Sequence, residues 1–363
     1  ALLFLAVGAW WVSLQGPRRG QTAAALAGLF VCSLFLQIAL VHADRPSVAA
    51  ELVDRTLSNQ ASGFFEAAAD IDDINLVLAD YAQAMPGFVS EHARTHPPGM
   101  IAANWATIQA FSKVPWLAEP AAAFVQPLRC MDLWLYGRPA AVSAALGAWA
   151  LIPLLFAAVT IFPAYAVARL LLRGYAVRLA AILAATLPAL ILFAPKSVQL
   201  YAPLTLLLFW AFHSGLQQKS PWRLFVAGVT GSVLTFFSLG NAALFLLLLL
   251  YGLLIVFFSS QDDEGQPLWP QTSAQVAGQL LAFAAGAASI WLLFWLFWSV
   301  PPWEVAISGL EQHYQLVTNI RRYEWWVTWN LVDLLVFSGW PLALGFAGSL
   351  LLAFRTWRSG RLA

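Results

Sequence analysis

The chain has 363 residues, 61% of them hydrophobic and 10% charged, with a mean hydropathy of +0.72 and a formal net charge of +1. Soluble globular domains carry roughly 25% charged residues, so this composition excludes an ordinary soluble domain and predicts an all-α polytopic membrane protein. The near-neutral balance, with no zinc-finger spacing, Walker loop or basic tract, excludes nucleic acid as a partner.

The chain opens at Ala1 inside an apolar run, without methionine or a readable signal peptide, and a truncated or processed start is expected. Crossing about 30 Å of hydrocarbon takes about 20 apolar residues. Runs of that kind lie at 22–41, 141–168, 178–194, 199–217, 222–239, 241–258, 276–299 and 331–354, and 1–13 offers a partial one, so eight to nine transmembrane helices are expected. The connections holding Arg18 and Arg19, then Arg169, Arg173 and Arg178, then Lys219 and Arg223, then Arg355, Arg358 and Arg361 alternate onto one side. The positive-inside rule makes that side cytoplasmic. The acidic "QDDEG" at 261–265 falls there too, but acidic residues count little in that rule. The segments are therefore N-terminal transmembrane segments at 1–41, an extracytoplasmic helical loop region at 42–140, a helix bundle at 141–299, a second extracytoplasmic loop at 300–330, and a last span with a basic tail at 331–363. Short outer turns are expected near 194–199 and 239–241.

Eleven of the eighteen Asp and Glu residues lie in the first outer loop, and the spans carry almost no ionisable group at mid-depth. Transporters and proton pumps place charges or broken helices there, so chemistry is expected on the outer face. In "VHADRP", Asp44 follows the first full span directly and sits at the membrane boundary, either as a topological marker or beside a lipid-borne phosphate. Residues 46–60 open on Pro46-Ser47 and carry Glu51 four residues before Arg55, a supporting helical pair. In "FEAAADIDDINLVLADY" (65–81), helical spacing puts Ile71, Ile74, Leu78 and Tyr81 on one face and Glu66, Asp70, Asp73 and Asp80 on another. The acidic stripe reads either as a solvated face or as carboxylates that hold sugar hydroxyls or a divalent ion such as Mg or Mn.

The run "SEHARTHPPGM" follows. The proline after His96 favours extended structure before it, and an extended 92–96 would put His92, Arg94 and His96 on one edge. "MIAANWATIQAF" then reads as a helix whose N-terminus could receive a phosphate. Lys196 is the single charge of a very short outer turn. The second outer loop supplies His313, Arg321, Arg322 and Tyr323 ahead of Trp325, Trp326 and Trp329. The tryptophans read as an interfacial belt, and the arginines as headgroup anchors or a phosphate clamp. Cys32, in a span, and Cys130, in the loop, are not expected to pair.

A large acidic first outer loop carrying "ARTHPPG", followed by short-looped spans, resembles the GT-C superfamily of integral-membrane glycosyltransferases, particularly bacterial members with a His-Pro-Pro-Gly loop. The resemblance extends over about residues 22–354. It implies a sugar donor on a polyprenyl phosphate, an outward-facing cavity, residence in a bacterial inner or plasma membrane, and an outer-loop aspartate as base. On this sequence that aspartate would be Asp44 or one of Asp70, Asp72 and Asp73. His92, Arg94, His96, Lys196, Arg321, Arg322 and Tyr323 are then candidates for substrate binding. The first loop lacks the adjacent Asp-Glu pair of protein mannosyltransferases, and the chain lacks the Trp-Trp-Asp motif of oligosaccharyltransferases. Two other classes compete with this expectation: a glycosyltransferase-like but inactive subunit packed with other membrane proteins, and a lipid or small-molecule transporter.

Overall fold

The computed structural model describes residues 2–45, 47–258 and 273–358, and these contain helices and turns without a strand. "QDDEG" and Arg361 lie outside the described residues. Among the described residues, three helices are long and apolar enough to cross a membrane: Arg19–Asp44, Ala140–Leu171 and Ala274–Trp298. They coincide with the expected spans 22–41, 141–168 and 276–299.

The remaining expected spans are shorter or broken. α1 (Leu2–Ser13) has 12 residues and leads into α2 (Arg19–Asp44). Residues 178–194 divide into α12 (Tyr175–Ala185) and α13 (Pro188–Ile191), because Pro188 disfavours helical backbone at the residue before it. α14 (Tyr201–Gln217), α15 (Pro221–Phe237) and α16 (Ala243–Phe258) have 16 or 17 residues, roughly 24–26 Å of helix. The last expected span, 331–354, does not run straight. α19 (Tyr323–Ser338) and α20 (Trp340–Arg358) meet at 110° around Gly339, whose φ of +81° suits only glycine comfortably.

The bundle is joined by close backbone approach and by buried amides. α15 crosses α17 (Ser273–Trp298) so tightly that a Cβ on Gly228 would lie 2.2 Å from the Phe283 carbonyl oxygen, and one on Gly286 would lie 2.2 Å from that of Phe225. Small residues allow such crossings where apolar lipid provides no hydrophobic drive. Gln37 on α2, wholly buried, donates to the Leu154 carbonyl of α10 (Ala140–Val159) at 3.1 Å and accepts from Gln199 at 3.2 Å. That pair ties two spans to the 194–199 turn.

The first outer loop folds as a chain of short helices: α3 (Val48–Leu57), α4 (Phe64–Ala69), α5 (Ile74–Ala79), α6 (Tyr81–Ala84), α7 (Glu91–Thr95), α8 (Gly99–Ser112) and α9 (Pro115–Ala123). Residues 65–81 are thus three helices rather than one. Asp73 stops the run by accepting from the Asn75 amide at 2.9 Å as an N-cap, and Asp70 and Asp80 end the helices before it and after it. The apolar face is still the inner one, with Ile74, Leu78 and Tyr81 buried in a core shared with Phe65, Met100, Ile101 and Leu146.

The four expected outer connections gather at one end. Gly99 abuts Phe236 and Phe237 at the end of α15, Arg55 reaches Ala194, and Gly309 lies against Thr95 and Leu239. The last contact belongs to α18 (Pro302–His313), which carries the second outer loop onto the first; Ser308 also donates to the Ala82 carbonyl at 2.8 Å.

Candidate functional site

His92 and His96 come together, but by helical rather than extended geometry. Ser90 caps α7 by accepting from the Ala93 amide, and the five residues that follow form one turn of helix. Its i, i+4 spacing brings the two rings to 5.9 Å, and both lie against Phe64, at 6.3 and 5.3 Å. The expected edge of three residues is therefore corrected. Arg94 is on another side of the turn, where its Nε donates to the Phe88 carbonyl and braces the loop. The capping preference of Ser90 outweighs the extended bias of Pro97, which acts only on His96, the first non-helical residue, at ψ 149°.

Burial pushes the His96 imidazole down to about 4, and the nearby His92 and His313 push in the same direction. His92 is lowered by burial, with the Lys196 ammonium adding to the effect against the Gln60 carbonyl that it meets at 3.4 Å. His96 is thus neutral near pH 7, a hydrogen-bonding group rather than a cation. Beside it, the Thr95 hydroxyl donates within reach of the Glu91 and His92 carbonyls, at 3.0 and 3.2 Å. Thr95 Oγ1 also lies 3.0 Å from His96 Nδ1, and the neutral ring has one N–H to donate and one nitrogen to accept. Tyr81, fully buried, donates its hydroxyl to the His96 carbonyl at 3.0 Å and fixes the backbone there.

The three candidate carboxylates have separate partners. Asp44 Oδ2 accepts from Arg55 Nη2 at 2.6 Å; the same guanidinium donates to Glu51 at 2.6 Å and to the Ala194 carbonyl at 2.7 Å. Asp70 pairs with Arg138 at 2.6 Å, and Arg138 lies over the Trp134 ring at 4.1 Å. Asp73 is the cap of α5, and Asp72 is exposed beside it. Among the described residues no group of three or more His, Cys, Asp or Glu side chains is placed to hold a metal ion.

A small cleft lies among the elements that carry these groups, lined by their neighbours rather than by the histidines, Asp44, Arg55 or Lys196 themselves. Its walls include Thr56, next to Arg55; Phe64, which touches both histidines; and Pro195 and Ser197, on either side of Lys196. Asn104, buried, and Trp149 line it from α8 and α10. The free volume is about 20 Å³, room for about one water. The start of α8, expected to be open to a phosphate, is closed by Phe236 and Phe237.

Arg321 and Tyr323 stand apart, lining a groove of about 220 Å³ with His313 and Trp326. Arg322 lines the adjoining groove of about 280 Å³ with Trp325, Trp329 and Asp333. Lys196 lies over the Phe193 ring at 5.5 Å. Both cysteines are free.

Phe64, the hold of the Tyr81 hydroxyl on the His96 carbonyl and the bridging role of Arg55 were not legible in the sequence. Arg55 offered one signal, its i, i+4 pair with Glu51, and that pair is present. No family profile, curated protein or solved structure matches this chain.

Proposed function

We propose that this chain is a membrane glycosyltransferase of the GT-C kind, with eight to nine spans, moving a sugar from a polyprenyl-phosphate donor to an acceptor hydroxyl on the extracytoplasmic face of a bacterial inner or plasma membrane. The observation that carries the reading is the cleft between the Arg55 region, the 194–197 turn and the Phe64–histidine cluster. Transfer from a phospho-sugar needs a carboxylate to take the acceptor proton and donors to stabilise the departing phosphate. Of Asp44, Asp70 and Asp73, Asp44 is the one tied to that cleft, since Arg55 holds both its carboxylate and the Ala194 carbonyl. Asp44 is therefore assigned as base, His92, His96 and Lys196 as phosphate-side donors, and Arg321, Arg322 and Tyr323 as contacts for the donor headgroup as it enters from the membrane. Any Mg or Mn requirement would be met by the donor phosphate and Asp44 together.

A second reading, a glycosyltransferase-like subunit without activity, is favoured by a specific observation. The cleft holds about one water, and each candidate carboxylate already has a structural partner. The two readings separate on turnover. The purified protein is given a panel of polyprenyl-phosphate pentoses and hexoses, with Mg²⁺, Mn²⁺ or chelator, and release of polyprenyl phosphate is measured. Activity that falls about 10²–10⁴-fold in Asp44→Asn and only a few-fold in Asp70→Asn supports the enzyme. Wild-type protein that turns over no donor supports the inactive subunit, and full activity in Asp44→Asn removes that residue as base.

A further inference from the structure

At the end of the bundle opposite the cleft, a cavity of about 660 Å³ lies between α2, α11 (Ile161–Leu171) and α12. Three arginines line it: Arg19 and Arg169, exposed at its rim, and Arg178, 8% exposed. Arg178 Nη1 donates to the carbonyls of Trp11 and Leu14 at 2.9 and 2.6 Å, closing the C-terminal end of α1. Its Nε is buried without a hydrogen-bond partner, and a buried guanidinium left partly unsatisfied is costly. None of the three arginines pairs with a carboxylate among the described residues.

Two helix N-termini open on the same space. Arg19 and Thr22 belong to the first turn of the 26-residue α2, and Gly174 and Val177 to the start of the 11-residue α12. Their free amides and the positive ends of both helix dipoles add to the arginine charge. Ala23, Leu26 and Tyr165 continue the lining with apolar surface along the first full span. Cations and amides at the mouth, followed by apolar wall along a span, match a phosphate with a hydrocarbon chain attached better than a free anion.

We propose that this cavity binds the phosphodiester headgroup of an anionic membrane lipid, with its acyl chains along α2. The site is independent of the cleft on the opposite face and of the activity proposed there. Because Arg178 also holds α1, the test leaves it in place. Purified protein, the Arg19→Ala/Arg169→Ala variant and a control, Arg18→Ala/Arg173→Ala, with the same loss of charge outside the cavity lining, are exposed in detergent to phosphatidylglycerol or phosphatidylcholine. Retained lipid is read by native mass spectrometry, and folding by thermal unfolding. Wild type and control should retain phosphatidylglycerol in preference to phosphatidylcholine, and the cavity variant should lose that preference, with bound phosphatidylglycerol falling about tenfold at an unchanged unfolding midpoint. Equal retention of the two lipids, or equal loss in the control, would overturn the proposal. Displacement of the lipid by millimolar inorganic phosphate would overturn the lipid and assign a soluble phosphate instead.

Discussion

His96 is held neutral by its surroundings, and this gives stability a sign that can be tested. Its imidazole lies at about 4 in the folded protein, below the ordinary 6.5 of an unfolded chain. Above pH 6.5 neither state binds the proton, and the contribution to stability is complete. As pH falls from about 6.5 towards 4, the unfolded chain takes up a proton that the folded one refuses, and stability is lost. The thermal midpoint of the wild type in detergent should therefore drop more between pH 7.5 and 4.5 than that of His96→Gln; identical slopes would count against a depressed His96. Arg94 yields the opposite expectation to a phosphate clamp. Since its Nε holds the Phe88 carbonyl, Arg94→Ala should lower stability by about 1–2 kcal/mol. Donor KM at matched protein levels should stay unchanged in Arg94→Lys, and a several-fold rise would return Arg94 to the site. The carboxylates separate on the same scale. Asp73→Ala should cost about 1 kcal/mol through loss of the α5 cap, measured by thermal unfolding, whereas Asp44→Asn should act on turnover.

Among the elements, the crossing of α15 and α17 is the most sensitive to size. Gly228 and Gly286 each face backbone of the other helix at distances no Cβ can accept, and the crossing is further tied by the Trp291 indole, which donates to Thr235 at 3.0 Å. Gly228→Leu must push the helices apart, and a loss of at least about 1–3 kcal/mol is expected, visible as a lower thermal midpoint and reduced monodisperse yield. Gly278, with open space around its Cα, is the control: Gly278→Ala should fold as the wild type does. The short helices of the outer loop show why periodicity alone was insufficient there. The apolar spacing of Ile74, Leu78 and Tyr81 identified the buried face, but Asp73 satisfies backbone donors locally and restarts the helix. At α7 the reverse happened: a proline suggested extended chain, and one serine cap produced a helical turn.

For the whole molecule, the two ends of the bundle should be distinguishable from outside the cell. Glu91 and Arg173 are both exposed and belong to opposite ends. In a background lacking Cys32 and Cys130, Glu91→Cys should react with a membrane-impermeant maleimide on intact cells, and Arg173→Cys should react only after lysis. The reverse pattern would invert the topology read from the arginines. What the sequence by itself determined is whatever depends on neighbours along the chain: the all-helical character, the apolar helices long enough to cross a membrane, and the inner faces of the loop helices. Run length and period carry that information, because burial in lipid or core selects them residue by residue. What each charged group meets was decided only by the tertiary structure. Arg138 reaches Asp70 across 68 residues, Arg55 reaches Ala194 across 139, and Arg178 reaches Leu14 across 164. No local pattern encodes such pairs, since a long side chain takes its partner from whichever helix the packing of the core brings beside it.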